Sequence, residues 1–215
     1  MDLFIMNNAR RTFIKKSFIG GALGLFVKDL HAKEVTPAEI EGPFYPITPQ
    51  KDTDFDLTRI NGQPGVAKGK VIYIQGKIIN RDAQPIEDAT VDIWQANAAG
   101  KYRHVHDANP APVDENFQGW AIVQSGREGG FNFKTIIPGA YPVNASWLRP
   151  PHIHFKVSKK GYLELLTQMY FPGQKLNETD LLLQRKNTRE RALMVAKKIK
   201  DDPETYEYDI VLAKV

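Results

Sequence analysis

Two histidines separated by a single residue, His152 and His154, are the strongest candidates for chemistry in this sequence. They begin a segment, 152–158, in which apolar and polar residues alternate, and this pattern predicts a β-strand. Side chains two positions apart in a strand face the same side, so both imidazoles would share one face while Ile153 points into a core. Two imidazoles on one face can bind one metal ion, and Arg149 stands three residues before the first of them.

A second pair with the same spacing, His104 and His106, lies in a polar stretch that shows no alternation. We interpret it as a solvated loop pair. A zinc- or copper-dependent hydrolase or oxidase using all four histidines nevertheless stays open as an alternative. The sequence contains no cysteine, which excludes disulfides, thiolate ligands and a cysteine nucleophile. It also lacks the HExxH and GxSxG motifs of zinc proteases and serine hydrolases.

The elements that must position these residues are short strands separated by turns containing glycine, proline or asparagine. One short C-terminal helix is predicted at 188–200. This pattern predicts an all-β fold, an antiparallel β-sandwich with long loops, that occupies residues 70–215 as one domain. The strands are predicted at 71–79, 89–95, 119–124, 130–137, 152–158, 165–171 and 206–212.

The first 32 residues have the order of an export signal, with a basic patch, a short apolar run and a polar end. Arg10 and Arg11 resemble the pair of a twin-arginine signal. The apolar run, 18–27, is too short to form a stable membrane span. We therefore expect export to the bacterial periplasm or the cell exterior. Residues 33–69 are rich in proline and are predicted to form an extended arm.

The amino-acid composition and net charge limit the classes of protein to which this chain can belong. Of the 215 residues, 42% are hydrophobic and 25% are charged, which is typical of a globular protein and argues against a disordered chain. The formal net charge is +4, of which +3 lies within residues 1–32, so the remainder is nearly neutral at +1. The basic isoelectric point therefore gives no reason to expect a nucleic-acid partner.

Several motifs occur in an order that resembles the intradiol ring-cleavage dioxygenase family. Within that family the motifs resemble those of the protocatechuate 3,4-dioxygenase subunits, and together they cover most of residues 41–172. The resemblance implies an intradiol dioxygenase-like sandwich and a ring-cleaving enzyme. It is carried by residues 41–46, 85–102, 131–142, 149–155 and 167–171, with 208–212 matching the family's last strand.

The resemblance further implies a ferric iron site. Four positions of this chain match the family's metal ligands, and all four carry the expected residue: Tyr102, Tyr141, His152 and His154. Phenolate oxygens are hard anionic donors that suit Fe(III). By resemblance, Tyr141 is the axial ligand that a catechol displaces, which makes it a catalytic residue as well.

The same resemblance implies roles for residues that do not bind the metal. Arg149 matches a catalytic arginine that stabilises negative charge on the substrate, and Gln168 matches a glutamine near the metal. Tyr45 and Trp147 are expected to contact the substrate together with Arg149.

The function implied by the family is a reaction on a catechol-type aromatic compound, protocatechuate or a relative. Both atoms of O2 are inserted, and the product is of the cis,cis-muconate type. The protein would act alone or as a homo-oligomer. The alternative is an exported β-sandwich that binds a small aromatic ligand without turnover.

Overall fold

The computed structural model describes residues 32–48, 50 and 52–215. The predicted export signal therefore lies outside the described residues, apart from its last position. The described part is mostly β-structure, which confirms the predicted fold class. Its elements are β1 Val71–Asn80, β2 Thr90–Trp94, β3 Trp120–Gln124, β4 Gly130–Ile136, β5 Tyr141–Asn144, β6 Trp147–Arg149, β7 His152–Ser158, β8 Leu165–Tyr170, α1 Thr188–Met194, β9 Lys197–Asp201, β10 Glu204–Glu207 and β11 Ile210–Leu212, with 3-10 turns at Lys175–Glu178 and Leu183–Arg185.

Two sheets form the sandwich. One contains four antiparallel strands in the order β3-β2-β7-β8, and the other is built around β1, which pairs with β4 on one side and with β10 and β11 on the other. Strands β5 and β6 form a separate hairpin. Apolar side chains from both sheets alternate inward and form one buried cluster, which includes Ile72, Ile74, Val91, Ile93, Phe133, Ile153, Phe155 and Val157. Burial of this shared apolar surface holds the two layers together.

The last predicted strand, 206–212, is divided into β10 and β11, and both run parallel to β1 rather than antiparallel. The division lies where the backbone of Tyr208 crosses Gly76. A Cβ atom on Gly76 would lie 1.9 Å from the Tyr208 carbonyl oxygen, so only glycine permits this approach. The Tyr208 amide donates to the Gln75 carbonyl at 2.9 Å, which keeps the chain in place across the break.

The prediction of a helix over 188–200 is wrong in its second half. The helix α1 ends at Met194, and Val195 is extended, with φ −97° and ψ 121°. The Ala196 amide donates to the Tyr170 carbonyl at 2.9 Å. Residues 197–201 form β9, which pairs with β10. Pairing with a neighbouring strand therefore overrides a helical pattern that the sequence shows only locally.

The arm lies against the sandwich by backbone hydrogen bonds. The Thr36 amide donates to the Val211 carbonyl at 3.1 Å, and the Glu39 amide donates to the Leu166 carbonyl at 2.8 Å. This path brings Gly42 beside His154. Within the part of the chain that the structure describes, no helix has the length and apolar character needed to cross a membrane.

Candidate metal centre

Strand β7 presents both histidines on one face, as its alternation predicts. His152 and His154 are each 2% exposed, and their Nε2 atoms lie 3.2 Å apart. The residues between and after them, Ile153 and Phe155, point into the apolar core. The Tyr102 hydroxyl oxygen lies 3.1 Å from His154 Nε2. Three potential metal donors therefore converge on one buried point.

Tyr141, at the start of β5, is the fourth residue near this point. Its ring centroid lies 5.4 Å from that of Tyr102 and 5.6 Å from that of His152. The structure thus brings together all four residues that the resemblance implies as iron ligands. We refer to Tyr102, Tyr141, His152 and His154 as the four-ring cluster. They come from a loop, the β5–β6 hairpin and β7, so their proximity depends on the tertiary fold.

The loop that carries Tyr102 is fixed by local hydrogen bonds and by one glycine. The Tyr102 amide donates to Asp107 Oδ2 at 2.7 Å. Gly100 adopts φ +76°, and a Cβ there would lie 2.3 Å from the Ala140 carbonyl oxygen. Because Ala140 precedes Tyr141, this close approach sets the two tyrosine-bearing loops side by side.

Two aromatic side chains that sequence reasoning did not assign to the site hold the rings in place. Phe44 stacks on Tyr102 with centroids 4.7 Å apart. Trp94 stacks on His154, also at 4.7 Å and nearly parallel, because the two residues are paired across β2 and β7. The signal that could have found Phe44 is its place in the matched segment 41–46, and for Trp94 it is its place on the strand that pairs with β7.

Burial keeps every member of the cluster neutral. It raises the pKa of Tyr102 well above its ordinary value, and it also raises the pKa of Tyr141, although the nearby Arg149 opposes that shift. Burial lowers the pKa of His152 well below its usual range and that of His154 to about 3, and the positive charge of Arg149 adds to both effects. Neutral imidazoles retain the lone pairs that a metal ion requires.

This donor set fits a hard cation. His152 Nδ1 lies 2.7 Å from the Pro150 carbonyl oxygen. Since a carbonyl only accepts, Nδ1 carries the proton and the lone pair on Nε2 faces the cluster. Such a backbone partner is usual for a metal-binding histidine. A metal ion of high charge would also lower the pKa of both phenols and so produce phenolate ligands. Two imidazoles and two phenolates are suited to ferric iron.

Arg149 lies beside the cluster at the centre of a buried hydrogen-bond network. It pairs with Tyr141 across β5 and β6 and is 3% exposed. Its Nε donates to Asp180 Oδ2 at 2.7 Å, and its Nη2 donates to Gln168 Oε1 at 2.7 Å and to the Tyr170 hydroxyl at 2.8 Å. Burial alone would lower the pKa of Arg149, but Tyr170, Tyr141 and Asp180 outweigh it and raise that pKa.

Gln168 is paired with His154 across β7 and β8. Its Oε1 accepts from Arg149, and its Nε2 donates to the Ile40 carbonyl at 3.1 Å. The residue therefore links the arm to the arginine. Asp180, by contrast, was not identified from the sequence. It follows a 3-10 turn, and nothing in its local sequence distinguishes this buried aspartate from aspartates that lie at the surface.

A cleft of about 440 Å³ opens onto this arrangement. We call it the Trp147 cleft. Tyr141, Trp147 and Arg149 line it, as do Gly42 and Pro43 of the arm. Two of the three residues predicted to contact substrate, Trp147 and Arg149, therefore share one cavity with Tyr141.

Tyr45, the third residue predicted to contact substrate, does not line the Trp147 cleft. Its hydroxyl donates to Asp92 Oδ2 at 2.7 Å. Its ring packs edge-on against Trp94 at 5.0 Å. The structure therefore places Tyr45 behind the site, where it supports the tryptophan that stacks on His154.

The second histidine pair lies in the loop that follows Tyr102 and not on β7. His104 Nδ1 accepts from the His106 amide at 3.2 Å, and the His104 ring packs edge-on against Phe44. Among the described residues, no three His, Cys, Asp or Glu side chains are grouped so that they could hold a metal ion. The four-ring cluster contains only two such side chains, because tyrosine supplies the other half of its donors.

Comparisons with known sequences agree with this geometry. A protein-family model described as Dioxygenase matches residues 40–214. The protocatechuate 3,4-dioxygenase beta chain of Burkholderia cepacia is 38% identical over 168 residues, which cover 74% of this chain and 71% of that protein. A chlorocatechol 1,2-dioxygenase of Cupriavidus pinatubonensis is 34% identical over 156 residues, which cover 64% of this chain and 55% of that protein. This chain therefore matches little more than half of the length of the second relative.

Solved structures show the same fold. The dioxygenase domain of a dioxygenase and carbohydrate-binding protein fusion from Streptomyces sp. SirexAA-E superposes with a TM-score of 0.64 at 26% identity, covering 85% of this chain and all of that domain. An intradiol ring-cleavage dioxygenase from Tetranychus urticae gives a TM-score of 0.65 at 18% identity, covering 84% and 95% of the two chains.

Proposed function

The chain belongs to the intradiol dioxygenase family, and from this premise we propose that it is a non-haem Fe(III) enzyme that cleaves a catechol-type ring. The substrate is protocatechuate or a related catechol. The ring opens between the two hydroxylated carbons, both atoms of O2 enter the product, and the product is a diacid of the cis,cis-muconate type. No other product is released, so the atoms of substrate and O2 are fully accounted for.

The observation that carries this proposal is the convergence of the four-ring cluster beside Arg149 at one end of an open cleft. Tyr102, Tyr141, His152 and His154 are the residues that would hold the iron. When bound, ferric iron supplies a Lewis acid that favours the doubly deprotonated catechol.

Tyr141 is suited to accept a proton from the substrate. It is the member of the four-ring cluster that lines the Trp147 cleft. Without a metal ion beside it, burial raises the pKa of the Tyr141 phenol, so a Tyr141 phenolate that the metal does not stabilise would readily take up a proton. A catechol hydroxyl that reaches Tyr141 can therefore give its proton to the tyrosine oxygen.

Arg149 stabilises negative charge on the substrate ring. Three hydrogen bonds, to Asp180, Gln168 and Tyr170, fix the guanidinium before any substrate binds. A charge fixed in this way requires little reorganisation during the reaction, and such preorganised groups often contribute most to catalysis. Gln168 acts by orienting Arg149. Trp147, whose ring lies 5.7 Å from the guanidinium carbon, forms a wall for the aromatic ring.

The family relationship favours the enzyme over a binding module without turnover. The test is a visible spectrum of the purified, iron-loaded protein before and after anaerobic addition of catechol. We expect a tyrosinate-to-iron absorption band that shifts with catechol, and ring cleavage when O2 is admitted. A protein that stays colourless after ferric loading would exclude the ferric enzyme and support the binding module.

We also propose that residues 1–32 direct export to the periplasm or the cell exterior, on the basis of their twin-arginine pattern and short apolar run. Cell fractionation tests this directly. Replacement of Arg10 and Arg11 by lysine should retain the protein in the cytoplasm. Export that is unchanged by this double substitution would argue against the twin-arginine route. Light scattering of the purified protein would distinguish a monomer from a homo-oligomer.

A further inference from the structure

The walls of the Trp147 cleft are mainly apolar. Beyond Tyr141 and Arg149, the cleft extends between the arm, the β5–β6 hairpin and the loop before α1. A catechol whose hydroxyls reach Tyr141 would extend the far edge of its ring along these walls. The apolar lining residues include Ile40, Phe44, Val143, Trp147 and Leu182.

The described residues that line the cleft supply no second cation for an additional anionic group. Among the described residues that line it, Arg149 alone carries a fixed positive charge. Its Nε is paired with the carboxylate of Asp180, and its Nη2 is shared between Gln168 and Tyr170. Asp180 therefore already pairs with this guanidinium, and the charge that Arg149 offers acts beside Tyr141, where the reacting part of a catechol would lie, and not at the far edge of the ring.

The lining of the cleft also includes a negative charge. Asp107 lines the cleft, and its carboxylate accepts hydrogen bonds from the Tyr102 and Asn109 amides. Lys101 balances it at 3.7 Å. Among the other polar lining residues, Asn109 uses its amide group to donate to the Gly100 carbonyl, and His106 is exposed to solvent.

From this charge distribution we propose that the cleft selects catechols with uncharged, apolar ring substituents over catechols with a carboxylate. The inference rests on the proposed function and deepens it. A carboxylate placed among these walls would lose water without gaining a counter-ion, which is unfavourable. An alkyl substituent would instead bury apolar surface against Val143 and Leu182. The selectivity therefore differs from that named for the beta-chain relative.

The test compares 4-methylcatechol with protocatechuate on the iron-loaded full chain. We expect kcat/KM for 4-methylcatechol to exceed that for protocatechuate by roughly tenfold or more. Anaerobic titration, followed by the visible band, should show the same order in Kd. Equal or better binding and turnover of protocatechuate would overturn the selectivity while leaving the enzyme intact. Absence of turnover with either catechol would instead contradict the proposed function.

A matched pair of variants tests whether the Trp147 cleft is the origin of the selectivity. Val143 lines the cleft and is 47% exposed, whereas Val66 is 51% exposed and lies elsewhere in a loop. Val143→Lys should supply the missing counter-ion and raise kcat/KM for protocatechuate several-fold relative to 4-methylcatechol. Val66→Lys should leave the ratio as in the wild type. If the two variants gave the same ratio, the cleft would not be the origin of the selectivity.

Discussion

The carboxylate of Asp180 accepts a 2.7 Å hydrogen bond from Arg149 Nε, and neither residue is appreciably exposed to solvent. The same carboxylate accepts backbone hydrogen bonds from Leu182 and Leu183 at 3.2 and 2.9 Å. Asp180 therefore connects the turn after β8 to the arginine beside the four-ring cluster. It touches no member of that cluster in the described structure, so its effect on catalysis would act through Arg149.

Asp180→Asn should impair turnover while the protein retains iron. Removing one charge of a buried ion pair leaves the other uncompensated, which destabilises a protein by up to about 3–5 kcal/mol. We expect a lower Tm and a lower kcat, with visible colour retained at temperatures where the variant is folded. Asp201→Asn, which alters an exposed aspartate, is the control and should change neither quantity. Wild-type kcat in folded Asp180→Asn would show that the carboxylate does not position the arginine.

Arg149→Lys should show whether turnover depends on the positive charge of this side chain alone or also on the geometry of its hydrogen bonds. Lysine keeps a positive charge but cannot reproduce the forked contacts to Asp180, Gln168 and Tyr170. We expect iron content and colour to persist while O2-dependent turnover falls about 10²-fold, the scale on which loss of one oriented donor acts. Stopped-flow measurement of catechol binding and of ring cleavage would distinguish the two steps. Loss of iron from this variant would assign Arg149 to the structure of the metal site instead.

Tyr141→Phe should preserve the fold and abolish most ring cleavage. Only a hydroxyl is removed, and the ring can keep its edge-on contact with Tyr102 at 5.4 Å. The tyrosinate absorption of the iron-loaded protein should shift, because one of two phenolate donors is lost. Tyr73→Phe, at a partly exposed position on β1, serves as the control and should leave the spectrum unchanged. Full turnover in Tyr141→Phe would remove this tyrosine from the catalytic site.

Much of the fold and part of the site could be predicted from local sequence. Strand alternation placed six of the seven predicted strands within one or two residues, and it put His152 and His154 on one face, because the side-chain period of two is a local property. The tyrosine ligands could not be found this way. Tyr102 lies in a loop and Tyr141 begins the four-residue strand β5, and neither segment shows a periodic pattern, so only the family resemblance indicated these two residues.

What sequence reasoning missed depends on contacts between distant segments. Asp180 gains its importance from Arg149, which lies 31 residues away in the chain. The second half of the predicted helix becomes β9 because β10 is available to pair with it. Tyr45 was expected in the cleft, but a hydrogen bond to Asp92 places its hydroxyl elsewhere. Tertiary pairing of this kind leaves no local pattern in the sequence.

The iron content of the protein should depend on His152 and His154 and not on His104 and His106. His154→Gln removes a donor that faces the cluster, so we expect iron binding to fall to a small fraction of the wild-type content. His104→Gln is the matched control, because its ring contacts Phe44 and its ring nitrogen accepts from the His106 amide. Metal analysis after extensive dialysis would measure both. Equal iron content in the two variants would contradict the assignment of the cluster as the metal site.

Stability at acid pH should depend on Glu204, far from the metal site. Its side chain is 6% exposed and lies in contact with Lys70, with Lys198 at 3.3 Å and with the Tyr206 hydroxyl at 2.6 Å. The hydrogen bond from Lys70, and then that from Tyr206, lowers the pKa of Glu204 from 4.5 to about 2.

The pKa of Glu204 is lowered only in the folded state, so the ionised carboxylate stabilises the folded protein fully above pH 4.5. This stabilisation is lost as the pH falls towards about 2. Glu204→Gln should therefore have a lower Tm than the wild type at pH 6, and the difference should shrink as the pH falls through that window. Glu115→Gln, which alters an exposed glutamate paired with Arg103, should follow the wild-type curve. Thermal unfolding at several pH values measures all three proteins, and a Tm difference for Glu204→Gln that stays constant from pH 6 to pH 2 would contradict the role assigned to this carboxylate.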